Sequence, residues 1–293
     1  MIKWLVQDVG IHMANLQWNF EALKRLDFPF GNFGLIAHER MITNLEEVLE
    51  KDWHYIIRGG TKILVLLDSI QSLSEVNAYL SAEQLAYNDQ FVQRLKEAVF
   101  YDVKHFDQAY YSTLDLPLLN TDSKLYEMTE HLDTRFNQDM FIKPSRDLKA
   151  FDAGILPKGT SLQEYVLGGK HQKIYLEEKA LIAPVKTITS EYRFFVVEGE
   201  VITGSQYRLG GMGVLNASIP PNIMDAAKEY ARLYQPHDVF TMDLAQTLDS
   251  ISIVEYNCWN ASGLYHTDVC KIFHTVNEYK QAKIYENKLK LVR

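Results

Sequence analysis

Short apolar runs alternate with amphipathic stretches over residues 1 to about 115. The runs predict strands at 3–7, 35–37, 55–57 and 63–67. Apolar residues with helical spacing predict helices at 21–26 and 44–53, and a longer helix from Ser81 towards Phe100. Ser81 and Gln84 form a capping box, which is typical of a helix start. Alternating strands and helices predict an α/β unit with a parallel sheet.

The middle of the chain carries one helical pattern and two strand patterns. Apolar residues recur with helical spacing over 121–136, which predicts a helix there. An apolar strand follows and ends in Lys143 and Pro144. A further strand is predicted over 173–182, with Ala183 directly after it.

Two hairpins, with a helix between them, are predicted for the last third of the chain. The first hairpin runs over 191–208 and turns at Glu198–Gly199, a pair that suits a tight turn. Glu191 and Arg193 share one face of its first strand, because side chains alternate along a strand. A helix is predicted to begin at Asn222 as its N-cap and to end before the proline that follows it.

The second hairpin pairs apolar runs at 240–245 and 251–257 across a polar turn. Asp243 lies on the first strand, while Glu255 and Asn257 lie two residues apart on the second and so share a face. Antiparallel pairing brings Asp243 beside them. Hard oxygen ligands of this kind are those that Mg²⁺ takes in proteins. The pattern therefore predicts a magnesium site on this hairpin.

Composition and charge narrow the classes of function. A chain of 293 residues is long enough for two or three subdomains, and its net charge of −8 argues against broad binding to nucleic acids or anionic membranes. A count of two cysteines argues against a disulfide framework. Without an export signal or a run of ~20 apolar residues, we expect a cytoplasmic protein. His266, Cys270 and His274 repeat every four residues, but each step climbs ~6 Å along a helix, so we expect no zinc site there.

The order of these motifs resembles the ATP-grasp superfamily, which includes D-alanine ligases, glutathione synthetases and ribosomal-protein glutamate ligases. The shared features are a strand ending in Lys-Pro, an acid-x-Arg hairpin, and an Asp strand followed by a strand ending in Glu-x-Asn. The run Pro-Ser-x-x-Leu-Lys-x-Phe from Pro144 resembles a clade of amide ligases from phages and bacteria. The resemblance implies a pre-ATP-grasp α/β domain over 1–115, and two α+β subdomains over 116–185 and 186–293 that clamp ATP.

The resemblance also implies how the nucleotide is held. Asp243, Glu255 and Asn257 are expected to hold one or two Mg²⁺ ions against the ATP phosphates, which Lys143 also contacts. Many relatives carry a glycine-rich flap after the Lys-Pro strand. This chain has a single glycine there, and we expect the charge of Lys149 to replace backbone amides over the phosphates.

Further roles follow from the same resemblance. Arg193 and Arg208 are expected to bind the transferring phosphoryl group or the substrate carboxylate, since a guanidinium binds either in a bidentate manner. Glu191, the acid of the acid-x-Arg strand, belongs with Arg193 among the nucleotide-binding candidates. The adenine hinge is expected at Leu181, Ile182 and Ala183, and an alternative alignment places it at 177–178.

The resulting hypothesis is an ATP-dependent carboxylate–amine ligase that works through an acyl phosphate and releases ADP. The partners would be ATP, a carboxylate and an amine, drawn from amino acids, peptides or a protein terminus. A kinase on the same fold and a nucleotide-binding adaptor without turnover are the alternatives. A secondary hypothesis is that Arg58, in the first domain, reaches an acidic co-substrate.

Overall fold

The computed structural model describes residues 1–8, 13–36, 39–77, 79–146, 150–169 and 178–292. Its strands are β1 (Ile2–Gln7), β2 (Phe30–Ile36), β3 (Met41–Thr43), β4 (His54–Arg58), β5 (Lys124–Glu127), β6 (Met140–Pro144), β7 (Gly154–Leu156), β8 (Lys179–Pro184), β9 (Ser190–Val197), β10 (Glu200–Leu209), β11 (Met212–Asn216), β12 (Val239–Gln246) and β13 (Ile251–Cys258).

Its α-helices are α1 (Met13–Arg25), α2 (Leu45–Val48), α3 (Thr61–Ser69), α4 (Ala82–Ala86), α5 (Asn88–Lys96), α6 (Gln108–Tyr111), α7 (Met128–His131), α8 (Leu162–Gly168), α9 (Pro221–Leu233) and α10 (Val269–Val292). Within the described ranges, no helix is long and apolar enough to cross a membrane.

The first sheet has the order β3-β2-β1-β4 and is parallel apart from its β3 edge. Its central strand β1 is apolar on both faces because helices cover both sides, as parallel sheets require. Tyr55 and Ile57 of β4 pack on the side of α3 and α5, and Trp4 of β1 packs on the other side against Phe273 of α10. The α/β unit with a parallel sheet is therefore confirmed.

Two local predictions in this first part are wrong. The run 63–67, read as a strand, lies in helix α3, and a short apolar run cannot by itself distinguish a buried strand from a buried helix. Ser81 does cap a helix, and its Oγ accepts from Gln84 N at 3.1 Å. However, the helix breaks at Tyr87 and resumes as α5, which ends at Lys96.

The second sheet has the order β5-β8-β6-β7 and is antiparallel. The helix predicted over 121–136 is wrong, because Lys124–Glu127 forms the edge strand β5 and only Met128–His131 is α-helical. Leu125, which the helical reading needed on a buried face, is exposed. Hydrogen bonds from β8 outweigh the local spacing here, which is a tertiary effect.

The third sheet has the order β11-β10-β9-β12-β13 and is antiparallel throughout. Both predicted hairpins are confirmed, and Glu198 and Gly199 turn the first with φ of 48° and 77°, the left-handed pair of a type I′ turn. Helix α9 covers one face of the sheet. It begins at Pro221 after an N-cap at Pro220, not at Asn222, because proline suits the first helical turn.

Candidate active site

A cavity of about 620 Å³ lies between the second and third sheets. Apolar side chains from β6, β7 and the segment after β8 form one wall, including Phe141, Ile155 and Val185. Charged and aromatic side chains from β9, β10, β12 and β13 form the opposite wall. The cavity thus has an apolar side and a charged side, a combination typical of ligand sites.

The structure brings Asp243, Glu255 and Asn257 together on the charged wall. Asp243 of β12 is the direct cross-strand partner of Glu255 of β13. Asn257 Nδ2 donates to Glu255 Oε1 at 3.1 Å and lies 3.4 Å from Asp243 Oδ2. The hairpin predicted from the sequence therefore places all three oxygen-bearing side chains within contact of one another.

Arg193 of β9 holds the Asp243 carboxylate from the neighbouring strand. Its Nε and Nη2 donate to Oδ1 and Oδ2 at 2.8 and 2.7 Å, a bidentate pair that is buried. Burial raises the pKa of the Asp243 carboxyl, and the charge of Arg193 opposes that rise. Although burial acts against it, Asp243 raises the pKa of Arg193 well above its usual value. The arginine therefore stays charged.

Lys143 of β6 forms an ion pair with Glu255 across the cleft, joining the second sheet to the third. Burial alone would raise the pKa of Glu255, but the Lys143 ammonium outweighs it and lowers that pKa to about 2. The Lys-Pro strand therefore points its cation at the predicted metal site, as the sequence implied.

Glu191 and Arg208 extend the charged wall towards β10. Arg208 Nη1 donates to Glu191 Oε1 at 2.8 Å, and Tyr207 Oη donates to Glu191 Oε2 at 2.9 Å. The Tyr207 ring stacks on Tyr265 with centroids 4.8 Å apart and planes 11° apart. Carboxylates, cations and aromatic rings thus alternate across the sheet from β10 to β13.

Two β-bulges shape this wall, and the sequence reading did not include them. Pairing passes from Asp243–Glu255 to Leu244–Ile253, so Val254 is an extra residue on β13. Likewise, pairing between β9 and β10 leaves Tyr207 extra on β10. A bulge lets consecutive residues reach one face. Val254 and Tyr207 therefore line the cavity beside Glu255 and Arg208, although strand alternation would turn them away.

The predicted adenine hinge is only partly directed at the cavity. Leu181 and Ala183 pair with Lys143 and Phe141, so they share the cavity-facing side of the second sheet, but they are buried and do not line the cavity. Ile182 belongs to the core on the opposite side. The lining residues closest in sequence follow β8, beginning with Val185.

Other predicted positions have different outcomes. Lys149 lies outside the described residues. Glu178, from the alternative hinge alignment, is buried and pairs with Arg146 at 2.8 Å. Arg58 does not line the cavity, because its guanidinium is buried under the loop after β13, where it donates to the carbonyls of Trp259 and Ser262. The hypothesis that Arg58 reaches a co-substrate is therefore wrong.

The residues present fit a magnesium ion by donor chemistry, since two carboxylates and one amide oxygen meet at the cavity wall. Among the described residues, no cluster of three or more His, Cys, Asp and Glu side chains is arranged to hold a metal. His266 and His274, from the four-residue repeat, are exposed. Both carboxylates, on Asp243 and Glu255, already have cationic partners. A bound metal would share them with those cations.

Solved structures with a similar fold include D-alanine–D-alanine ligase from Bacillus anthracis, with a TM-score of 0.51 and 10% identity over 94% of this chain and 92% of that chain. The RimK domain ATP-grasp protein from Sphaerobacter thermophilus DSM 20745 gives a TM-score of 0.49 and 11% identity over 89% and 92%. The ATP-grasp ligase PsnB complexed with a minimal precursor gives 0.47 and 12% over 92% and 95%. At such low identity, these likenesses concern the fold.

No curated protein matches the chain. A family model that describes an ATP-grasp domain, the third family of its clade, matches residues 68–276, which is more than half of the 293 residues. That match includes β6 with Lys143 and the strands with Arg193, Asp243 and Glu255. The chain therefore belongs to this family of ATP-grasp domains.

Proposed function

We propose that the protein is an ADP-forming, ATP-dependent carboxylate–amine ligase. The observation that supports this most directly is the convergence of Asp243, Glu255 and Asn257 with the cations of Lys143 and Arg193 in one cavity. That cavity, at about 620 Å³, lies within the range of small-molecule and cofactor sites. Its apolar wall suits a nucleobase and its charged wall suits phosphates.

The chemistry needs activation because a carboxylate in water has no good leaving group. A carboxylate oxygen attacks the γ-phosphorus of ATP, the bond from phosphorus to the bridging oxygen breaks, and ADP leaves. The amine nitrogen then attacks the acyl carbon, inorganic phosphate leaves with the bonding electrons, and the nitrogen gives its proton to phosphate or water. Phosphoryl transfer depends mainly on positioning and on neutralised charge, so no protein nucleophile is required.

Each residue on the charged wall has a task in this scheme. Lys143 and Arg193 neutralise the phosphate oxygens. Arg208, whose guanidinium is half-exposed at the cavity wall, binds the substrate carboxylate. Lys149 is proposed to cover the phosphates. When bound, Mg²⁺ would be held by Asp243, Glu255 and Asn257, and it would neutralise the bridging phosphates.

The remaining parts of the proposal follow the sheets. The first domain is assigned to residues 1–115, and the subdomains that clamp ATP to 116–185 and 186–293. Leu181 and Ala183 back the adenine side from beneath the cavity surface. The acid and the amine are proposed to be amino acids, peptides or a protein terminus.

The test is a screen for ADP and phosphate release over mixtures of amino acids and peptides. The parent protein is expected to release ADP and phosphate in equal amounts only when an acid and an amine are both present. Asp243→Asn is expected to lower that turnover at least ~100-fold, because it removes one carboxylate from the metal site and from Arg193. Asp249→Asn is the matched control, since it removes the same charge from the exposed β12–β13 turn.

Three outcomes would contradict the proposal. ADP formation with a phosphorylated acceptor and no free phosphate identifies a kinase. ATP binding without turnover in any mixture identifies an adaptor. Equal turnover in Asp243→Asn and the parent removes the site assignment itself.

A further inference from the structure

Tyr265 has a strained backbone directly beside the catalytic cavity. Its φ is 48°, in the left-handed region that bulky residues rarely adopt. Such conformations persist only when the surrounding structure imposes them, and they cluster at functional sites. This residue therefore asks for a functional explanation that neither the family match nor the ion pairs provide.

The loop on either side of Tyr265 is fixed in place. Ser262 Oγ donates to the Cys258 carbonyl at 2.8 Å and contacts Thr241 Oγ1 at 2.8 Å. Leu264 is fully buried in the core, and its carbonyl accepts from Thr267 Oγ1 at 2.6 Å. Because both sides are anchored, the chain holds Tyr265 in its unfavourable conformation and the ring faces the cavity.

The ring of Tyr265 completes an ordered aromatic wall. It stacks on Tyr207, whose hydroxyl is bound by Glu191, and the Arg193 guanidinium lies 5.1 Å from its centroid. Cation–π contact of this kind holds the arginine from the side opposite its carboxylate partner. Burial raises the pKa of both tyrosine hydroxyls, so both rings remain neutral near pH 7.

The position of this wall separates it from the nucleotide side. Tyr207 and Arg208 come from β10, at the opposite side of the third sheet from β13, which carries Glu255. The apolar side chains suited to a nucleobase come instead from the second sheet. A ligand that touches Tyr265 therefore lies beside Arg193 and Arg208 and beyond the triphosphate.

We infer that Tyr265 is a specificity-determining residue of the subsite for the carboxylate substrate. The inference rests on the proposed ligase function. The substrate class is an organic carboxylate with an apolar or planar group next to its carboxyl carbon. That group lies against the Tyr265 ring, and the carboxylate is directed towards Arg193 and Arg208.

The experiment compares Tyr265→Gly and Tyr265→Phe with the parent, using an acid that supports turnover in the screen. Tyr265→Gly is expected to raise KM for the acid at least tenfold while KM for ATP stays within twofold. Its Tm is expected to stay within ~3 °C of the parent, because relief of the left-handed strain offsets the lost ring contacts. Tyr265→Phe is expected to keep KM for the acid within threefold, since the ring is retained.

Asp27→Gly is the matched control for the backbone effect. Asp27 also has a left-handed φ, of 54°, in the turn after α1 and away from the cavity. This control is expected to keep Tm at or above that of the parent and to leave both KM values unchanged. It shows what relief of strain does when no ring is lost from the cavity.

Several results would overturn the inference. An unchanged KM for the acid in Tyr265→Gly shows that the ring does not touch that substrate. A large fall in Tm with both KM values raised shows a structural role instead. Equal damage from Phe and Gly assigns the role to the hydroxyl and removes the ring as a wall. If the parent shows no acid-dependent ADP release, the ligase proposal and this inference both fail.

Discussion

Two ion pairs in the cavity wall differ in the structures that they join. Arg193 and Asp243 are neighbours on adjacent strands of one sheet, with side chains 9% and 3% exposed and a bidentate contact. Lys143 and Glu255 belong to different sheets, with side chains 11% and 28% exposed, and they meet through a single ammonium.

The difference indicates which pair is frame and which is adjustable. A buried bidentate pair inside one sheet keeps its geometry because the strands fix both partners. A pair that spans two sheets depends on the distance between those sheets, and lysine is a compact cation on a flexible stem. We therefore expect Arg193 and Asp243 to stay paired, while Lys143 exchanges Glu255 for phosphate oxygens when nucleotide enters.

The largest expected effect comes from breaking the frame pair. Arg193→Met leaves the Asp243 carboxylate buried without its partner, and removing one member of a buried pair costs about 3–5 kcal/mol. Urea unfolding measures the loss. The double variant Arg193→Met with Asp243→Leu is expected to recover at least half of it, because no uncompensated charge remains. A single variant that loses less than ~1 kcal/mol contradicts the assignment of this pair as frame.

A smaller effect on stability, but a clear effect on ligand binding, is expected from the pair between sheets. Lys143→Met should lower the free energy of unfolding by only about 1 kcal/mol, because Glu255 still reaches solvent. Affinity for ATP, measured by titration calorimetry, should fall at least tenfold, or ~1.4 kcal/mol.

Lys3→Met is the matched control for that change. Lys3 is also ion-paired, with Glu50 at 2.6 Å, and its side chain is 13% exposed on β1, away from the cavity. It should show a similar change in stability and no change in ATP affinity. Equal ATP affinity in Lys143→Met and Lys3→Met would exclude Lys143 from the nucleotide site.

The smallest effect is a dependence on pH that belongs to Glu255. Its pKa is lowered from 4.5 to about 2 in the folded protein, so the unfolded chain binds more protons between those values. The stabilisation is therefore complete above about pH 5 and is lost as pH falls towards 2.

The measurement compares the parent with Glu255→Gln by urea unfolding from pH 7 to pH 3. The difference in unfolding free energy should be constant down to about pH 5 and then shrink. A difference that grows as the pH falls would contradict the ion pair with Lys143. The frame pair should show no such dependence when Arg193→Met is compared with its double variant above pH 5.

The candidate site could be predicted from the sequence where its geometry is local. Glu255 and Asn257 share a face by the two-residue period, and a polar turn is enough to return the chain beside Asp243. The Lys-Pro strand ending at Lys143 was likewise visible. Predictions failed where another strand competed with local spacing, as in β5, where pairing with β8 replaced the expected helix.

What the sequence by itself determined is the set of hairpins and the identity of the charges that each face can carry. Only the tertiary structure decided which charges meet. The Lys143–Glu255 pair joins residues 112 positions apart, and the bulges at Tyr207 and Val254 turn extra side chains into the cavity. The physical reason is that alternation and turns depend on neighbouring residues, whereas bulges, ion pairs between sheets and the strain at Tyr265 depend on contacts made only after the sheets pack.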